Sequence, residues 1–365
     1  MRIVIVGAGP VGCYTAQLLN RLLPGSGVTI IEEHPQIGKP VHCAGLVSSR
    51  IFEESKIPLD TGCIINHIDG ANFFFNSDSF HIHRDNVALV IDRFKFDANL
   101  SKGLNIIPNT RFVGIEKEGN GHLIETDKGD YYADIVIGAD GANSSLRRAV
   151  GFKEDIQYLR GVQFRIRYNK CENNFVRVYL KNPFFAWIIP ENEEVVRAGI
   201  ISDNPYLDLL EFLKEISIEG EVLEKFAGSV LLGRCQTQKG NLVLVGDAAC
   251  QVKPLTHGGI YYGMRCAEIL VDCILQNSLA DYERRWRERF AREIDISLKV
   301  KQFYEKLSYN NINKVFSILK DNADVIEKFG DFENHLRVIS EIIKNPRLQI
   351  LLGRVLISII KNNSL

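Results

Sequence analysis

A chain of 365 residues and 41.3 kDa, 45% apolar and 24% charged, has the composition of a globular protein with room for two domains. Disordered, collagen-like and small disulfide-framework proteins are thereby excluded. Lys and Arg (44) balance Asp and Glu (45) to a formal charge of -1, so no basic field speaks for a nucleic-acid partner. Eight cysteines form no CxxC pair, and no leader is read ahead of the first strand. Reduced thiols in a cytoplasmic protein are expected, with no metal site. No uncharged apolar run reaches about 18 residues, so no membrane-spanning helix is expected.

In chain order, residues 2–6 (RIVIV) read as a buried strand, followed by Gly7-Ala8-Gly9-Pro10-Val11-Gly12 and a helical stretch to Leu23. A second strand, Val28 to Ile31, ends in Glu32-Glu33. This is a βαβ unit with GxGxxG at its first turn and an acid about 20 positions on. Gly7 permits the tight turn, Gly9 lets backbone amides approach a pyrophosphate, and Gly12 lets the helix pack on the strand. The helix amino terminus at Pro10 and Val11 then offers free N–H groups and a positive dipole. Glu32 can accept hydrogen bonds from ribose hydroxyls. Glu33 and His34 stand where a 2′-phosphate would want an arginine, which favours FAD or NAD. The bland alternative is a glycine turn in an unliganded α/β sheet.

Three more segments bear on the same site. Asp92-Arg93-Phe94-Lys95-Phe96-Asp97 opens a helix to Leu100, with Asp92 as N-cap. A strand from Ile135 ends in Gly138-Ala139-Asp140-Gly141, followed by Ser144, Ser145, Arg147 and Arg148. A strand from Leu242 ends in Gly246-Asp247-Ala248-Ala249, and His257-Gly258-Gly259-Ile260 opens a helix through Leu275. Each is a turn when taken alone. Together they supply strand-end carboxylates for sugar hydroxyls, and a second helix amino terminus for an anion.

This set resembles the FAD-dependent oxidoreductases of the p-hydroxybenzoate hydroxylase type and, within them, the geranylgeranyl reductase family, especially its archaeal members. Ile37-Gly38-Lys39-Pro40-Val41-His42-Cys43-Ala44-Gly45-Leu46 resembles that family's cysteine-containing loop. Phe185-Ala186-Trp187-Ile188-Ile189-Pro190, with Val196 to Ile200, resembles its YxWxFP strand and the glycine strand paired with it. The likeness covers roughly residues 1–275. It implies FAD contacts at Val11, Glu32, Cys43, Ala44, Leu46, Arg93, Asp247, Gly259 and Ile260, and a backbone contact near the adenine at Val113. Asp140, Gly246 and Gly258 join that set as strand-end and turn residues. Cys250 and His257 stand at positions usually held by glycine, and Phe185 and Ile189 replace residues expected to line the substrate pocket.

Saturating an isolated C=C bond takes a hydride, moved through the flavin N5, and a proton from across the alkene. Cys43 is the first candidate donor, since an ordinary thiol titrates near 8.5. His42, His257 and water are the others, and Cys43 read blandly is a packing thiol beside the cofactor. Trp187, Phe184 and Phe185, with Phe73-Phe74-Phe75, either wall a tunnel for an isoprenoid chain or form the core of an antiparallel sheet. No second GxGxxG appears, so NAD(P)H would dock transiently, and a small electron-carrier protein is an equally open donor.

From Tyr282 the chain reads as helices; Tyr282, Trp286, Phe290, Ile294 and Leu298 form a stripe that docks on the nucleotide domain. Residues 348–360 are apolar nearly all round, and pack in a groove, close a dimer or lie in a membrane interface. The expected architecture is a discontinuous Rossmann-type FAD domain (1–68, 80–150 and 236–280). An antiparallel-sheet substrate domain (151–235, with 69–79) and a helical region (281–365) complete it. The expected activity is FAD-dependent reduction of a prenyl (geranylgeranyl) chain of an archaeal-type ether lipid precursor, with peripheral membrane contact. The alternatives are a flavin monooxygenase acting on a small aromatic or apolar compound, and a flavin-containing lipid-binding protein without turnover.

Overall fold

The structure, a computed structural model, describes residues 1–181 and 184–351, and leaves aside the side chain of Phe184. The expectations for Phe184's side chain and for residues 352–360 therefore lie outside the described residues. The chain forms two compact units, each assembled from three stretches. The first takes Met1–Ile65, Ile91–Arg160 and Phe226–Ile294; the second takes Asn66–Val90, Gly161–Lys225 and the chain from Asp295.

In the first unit a six-stranded sheet runs in the order Gln238–Lys239, Leu242–Leu244, Ile135–Gly138, Arg2–Val6, Gly27–Ile31, Ile106–Ile107. All neighbours are parallel except the first pair. The central strands are short apolar runs buried on both faces, as a parallel sheet covered by helices requires. Register sets Val6 opposite both Gly138 and Ile31, and Gly138 opposite Leu244. The turns after these strands therefore emerge at one edge, the edge at which α/β sheets bind ligands.

Helices Pro10–Leu22 and Ile260–Leu275 pack together through a glycine contact. A Cβ at Gly263 would stand 2.5 Å from Val11 Cγ2. Their contact also buries a polar link, Tyr14 Oη donating to Glu268 Oε1 at 2.6 Å. Phe112–Glu118, Gly121–Thr126 and Gly129–Ala133 form a separate antiparallel sheet in the same unit. Three residues of the aromatic stripe dock here, as expected. Tyr282 Oη donates to the Leu244 carbonyl at 3.0 Å, Trp286 Nε1 to Thr237 Oγ1 at 2.8 Å, and Phe290 lies 4.7 Å from Tyr262.

The second unit is built on a largely antiparallel sheet. Val195–Ile201, Phe184–Pro190 and Phe175–Lys181 run antiparallel in succession, and Phe175–Lys181 pairs parallel with Ile64–Phe75. Helix Pro205–Glu215 covers one face, where Ala186, Ile188, Ala198 and Ile200 form a core with Leu209 and Phe212. Strand alternation then turns Phe185 and Trp187 to the other face. The same rule corrects the grouping of Phe73, Phe74 and Phe75 into one wall. Phe74 stacks on Tyr179 at 4.7 Å, and Tyr179 in turn meets Phe212 on the helix-covered face. Phe73 and Phe75 instead join a cluster with Phe80, Leu180 and Phe316.

Helix Tyr309–Asp321 supplies Phe316, 5.2 Å from Phe80 and 5.8 Å from Phe75. Glu327 accepts from the His83 amide at 3.0 Å, while Arg84 donates to the Gly330 carbonyl and Lys320 pairs with Asp78. The carboxy-terminal helices thus seal this unit's own sheet. Among the described residues no helix is long and apolar enough to cross a membrane. The mixed α/β class with a Rossmann-type sheet, a largely antiparallel sheet and a helical carboxy-terminal part is the one expected.

Candidate dinucleotide site

The glycine turn is shaped by backbone contacts that leave no room for side chains. Gly7 has φ +102°, and a Cβ there would stand 2.5 Å from the Ala139 carbonyl oxygen. One at Gly12 would stand 2.1 Å from the Gly7 oxygen, whereas a Cβ at Gly9 would meet nothing within 4 Å. Gly9 therefore marks open space in front of the amino terminus of helix Pro10–Leu22, whose first position Pro10 takes without losing a hydrogen bond. Glu32 is held at both oxygens. Oε2 accepts from the Ala8 amide at 2.7 Å; Oε1 accepts from the His34 amide at 3.0 Å and lies 2.6 Å from His34 Nδ1.

The other two strand ends bring carboxylates to the same edge. Asp140 Oδ2 accepts from the Leu146 amide at 3.1 Å, while its buried Oδ1 has no hydrogen-bond partner among the described residues. Burial pushes the Asp140 carboxyl above its usual range. Burial does the same to Asp247, against the opposing charge of Arg93. Gly246 abuts Val11, with a Cβ there 3.2 Å from Val11 side-chain atoms, and a Cβ at Gly259 would stand 2.3 Å from Asp247 Oδ1. Gly259 is thus the residue that lets Asp247 lie beside the start of helix Ile260–Leu275.

Arg93 ties this edge to the cysteine loop. Its guanidinium bonds Asp97 twice, at 3.2 and 3.0 Å, and also hydrogen-bonds the Cys43 sulfur. Burial opposes its charge, but Asp97 and Cys43 more than offset that and hold it protonated. Asp92 caps the helix, its Oδ1 accepting from the Lys95 amide at 3.0 Å. The loop itself is fixed at Gly38, whose φ of +79° sets it against Phe94 and Asp97, and at His42, whose Nδ1 lies 2.6 Å from the Ala227 carbonyl. Beyond Ala44, the Gly45 carbonyl accepts from Ile91 at 2.8 Å and Leu46 starts a short strand.

Contacts run from Gly7 to Gly12 and Asp140, and from Val11 through Gly246 and Asp247 to Gly259, while Arg93 acts on Asp247 through its charge. Val113, His257 and Trp187 are the other sequence candidates. Val113 is the residue skipped where the ladder shifts between Phe112 and Gly114, and its side chain is 57% exposed. His257 lies in the turn before Gly258, its amide donating to the Lys253 carbonyl at 2.8 Å. Trp187 belongs to the second unit, where Nε1 donates to Gln163 Oε1 at 2.9 Å and Gly199 stands directly opposite. A Cβ at Gly199 would come 2.3 Å from Trp187 Cζ2, so the missing side chain is the space in which the indole lies.

Gly199→Ala is accordingly expected to displace the indole and break its bond to Gln163, at a cost of about 1–3 kcal/mol. A red shift of Trp187 emission in a Trp286→Phe background checks this; an unchanged spectrum contradicts it. Two departures from family pattern have a shared physical basis. Cys250 (φ +57°) and His257 (φ +59°) both occupy the left-handed region, where glycine is the unstrained choice. Cys250 gains a hydrogen bond with the buried thiol of Cys235 in return.

Sequence reasoning named Arg147 in the segment after Asp140 but gave it no role. It is fully buried and donates to Glu154 at 2.7 Å, the Ala248 carbonyl at 2.9 Å, and both the Ala142 carbonyl and Tyr158 Oη at 2.8 Å. One side chain thus joins the loop after Asp140 to the turn containing Asp247. Its only signal was its place three residues beyond a serine N-cap, in a strand-turn-helix segment.

The parallel sheet, the glycine turn at its carboxyl edge and the acid closing the second strand define a Rossmann-type dinucleotide-binding oxidoreductase. Residues 5–82 match the NAD(P)-binding Rossmann-like domain. The chain is 31% identical to an uncharacterized protein of Methanocaldococcus jannaschii, across 94% of this chain and 95% of that one. It is 28% identical to the digeranylgeranylglycerophospholipid reductase of Methanothrix thermoacetophila, across 95% and 97% respectively. A geranylgeranyl bacteriochlorophyll reductase-like protein of Thermoplasma acidophilum shares the fold, with a TM-score of 0.81 at 24% identity over 97% of this chain and 98% of that one. The chain belongs to the geranylgeranyl reductase family of FAD-dependent oxidoreductases.

Proposed function

We propose that this protein binds FAD in its first unit and uses it to saturate C=C bonds of a prenyl chain, that of an archaeal-type ether lipid precursor. The observation that carries the reading is the gathering of the glycine turn, Asp140, Asp247 and Gly259 at the carboxyl edge of the parallel sheet. It also rests on relatives named for reduction of digeranylgeranylglycerophospholipid. The residues suit FAD on three counts: glycines whose Cβ atoms would fill the cradle, the orphaned Asp140 Oδ1, and a strand-end Glu32 with lone pairs left for a ribose.

In this reading Gly7, Gly9, Pro10, Val11 and Gly12 receive the pyrophosphate, Glu32 the ribose and the Val113 backbone the adenine. Asp140, Arg93, Gly246 and Asp247 meet the chain linking the ring to the phosphates. Gly258, Gly259 and Ile260, at the amino terminus of helix Ile260–Leu275, with Ala44 and Leu46, would hold the ring. Bound FAD supplies a hydride donor. Cys43 then gives the Sγ–H proton to the alkene carbon left without one and recovers it from water, with His257 nearby in sequence to the ring-binding turn. Phe185 and Trp187 are the residues assigned to the prenyl chain, which needs only an apolar wall. Reducing equivalents come from NAD(P)H docking transiently or from a small electron-carrier protein. The setting is cytoplasmic with peripheral contact to the membrane that houses such a lipid.

The test is anaerobic incubation of FAD-loaded protein with a chemical reductant and a digeranylgeranyl lipid. A product gaining two hydrogens per double bond is expected. Oxygen incorporation in air identifies the monooxygenase alternative, tight lipid binding without flavin reoxidation identifies a binding protein, and purified protein that takes up no FAD ends the scheme.

A further inference from the structure

Lys253 has no task in the reading above, yet it is enclosed, with 2% of the residue exposed. It sits in the turn that leads from Gly246–Ala249 to helix Ile260–Leu275. Two backbone bonds close that turn on this one residue. The Lys253 amide donates to the Gly258 carbonyl at 3.1 Å, and its carbonyl accepts from the His257 amide at 2.8 Å. The side chain lies against Gly258, where a Cβ would stand 3.0 Å from Lys253 Cε and 3.4 Å from Nζ. The next residue, Gly259, makes room in the same way for Asp247 Oδ1. Each of the two glycines that open the helix is thus packed against the tip of a charged side chain.

Enclosing an ammonium is costly unless negative charge or hydrogen-bond acceptors meet it. An enclosed charge also acts through a low dielectric, so a ligand that gains negative charge beside it is stabilised more than in water. A flavin ring gains such charge when it is reduced, and charged groups near the ring tune its electronics. We infer that Lys253 is a redox-tuning residue: beside Gly258, its ammonium favours the reduced form of a flavin held at this turn and so raises the cofactor's reduction potential. The inference rests on the placement of the ring at Gly258, Gly259 and Ile260 proposed above, and needs no substrate.

The measurement is the two-electron reduction potential of bound FAD, read anaerobically against a reference dye as dithionite is added, together with a binding titration of oxidised FAD. Lys253→Met keeps the bulk of the side chain and removes the charge. It is expected to lower the preference for reduced over oxidised FAD about tenfold, a fall of about 30 mV for a two-electron couple. Affinity for oxidised FAD should change far less. A lysine that only braces the turn would weaken both forms alike, so a potential that coincides with wild type, or rises, overturns the inference. Lys253→Gln gives the same reading if the methionine variant fails to fold. Wild-type protein that takes up no FAD would end the proposed function and this inference with it, whereas FAD bound by the variants at an unshifted potential ends the inference alone.

Discussion

Arg147→Met is expected to destabilise the first unit by about 3 kcal/mol, and to yield protein that no longer retains a dinucleotide. The guanidinium is fully enclosed and its donors reach both turns that present the strand-end aspartates. A methionine fills the volume but leaves the part-buried Ala142 carbonyl and the buried Ala248 carbonyl without that donor, and each such loss costs about 1–3 kcal/mol. The neighbouring Arg148 donates only to the Asn143 carbonyl and to Ser145 Oγ, near the surface. Arg148→Met should therefore stay within about 0.5 kcal/mol of wild type. Urea unfolding of the two variants side by side checks the claim, and equal midpoints would refute it.

Asp247→Asn is expected to weaken FAD binding about a hundredfold while making the FAD-free protein more stable. The sign follows from burial, which raises the Asp247 carboxyl above its ordinary value of 3.8 despite Arg93. A carboxyl raised on folding contributes stability that is complete below its unfolded value, and lost as pH climbs through the folded one. Burial disfavours the charged form of Asp247, a cost that asparagine, neutral throughout, does not carry. The FAD-free variant should exceed wild type by about 1 kcal/mol at pH 7, a margin that closes near pH 4. Melting curves at the two pH values, with flavin fluorescence titration, measure both halves. A destabilised FAD-free variant at pH 7 would show that Asp247 is held by favourable contacts.

These two residues also mark what sequence could and could not reveal. The first strand, the glycine turn, the helix capped by Asp92 and the helix running to Leu275 were legible, because local chemistry dictates each one. A glycine whose Cβ would stand 2.1 Å from a carbonyl oxygen and an aspartate that caps its own helix need no distant partner to be recognised. The face carrying Trp187 followed from alternation once the strand was recognised. What could not be read were pairings made across the length of the chain. Phe75 meets Phe316, Tyr14 meets Glu268, and Arg147 meets Ala248. No periodicity links such residues. Phe74 separated from its neighbours for a local reason that the aromatic run concealed: three identical side chains on a strand cannot share one face.

The interleaving of the two units has a consequence for how the polypeptide matures on the ribosome. The opening strand finds one neighbour at once in Gly27–Ile31, but the strand on its other side waits for Ile135–Gly138, and that one in turn for Leu242–Leu244. At about 5–20 residues per second, some tens of seconds separate the first of these strands from the last. During that interval the glycine turn is already translated, but the carboxylates and helix that complete its surroundings are still to come. A nascent chain released before residue 244 should therefore expose an unpaired sheet edge, a form suited to chaperone capture.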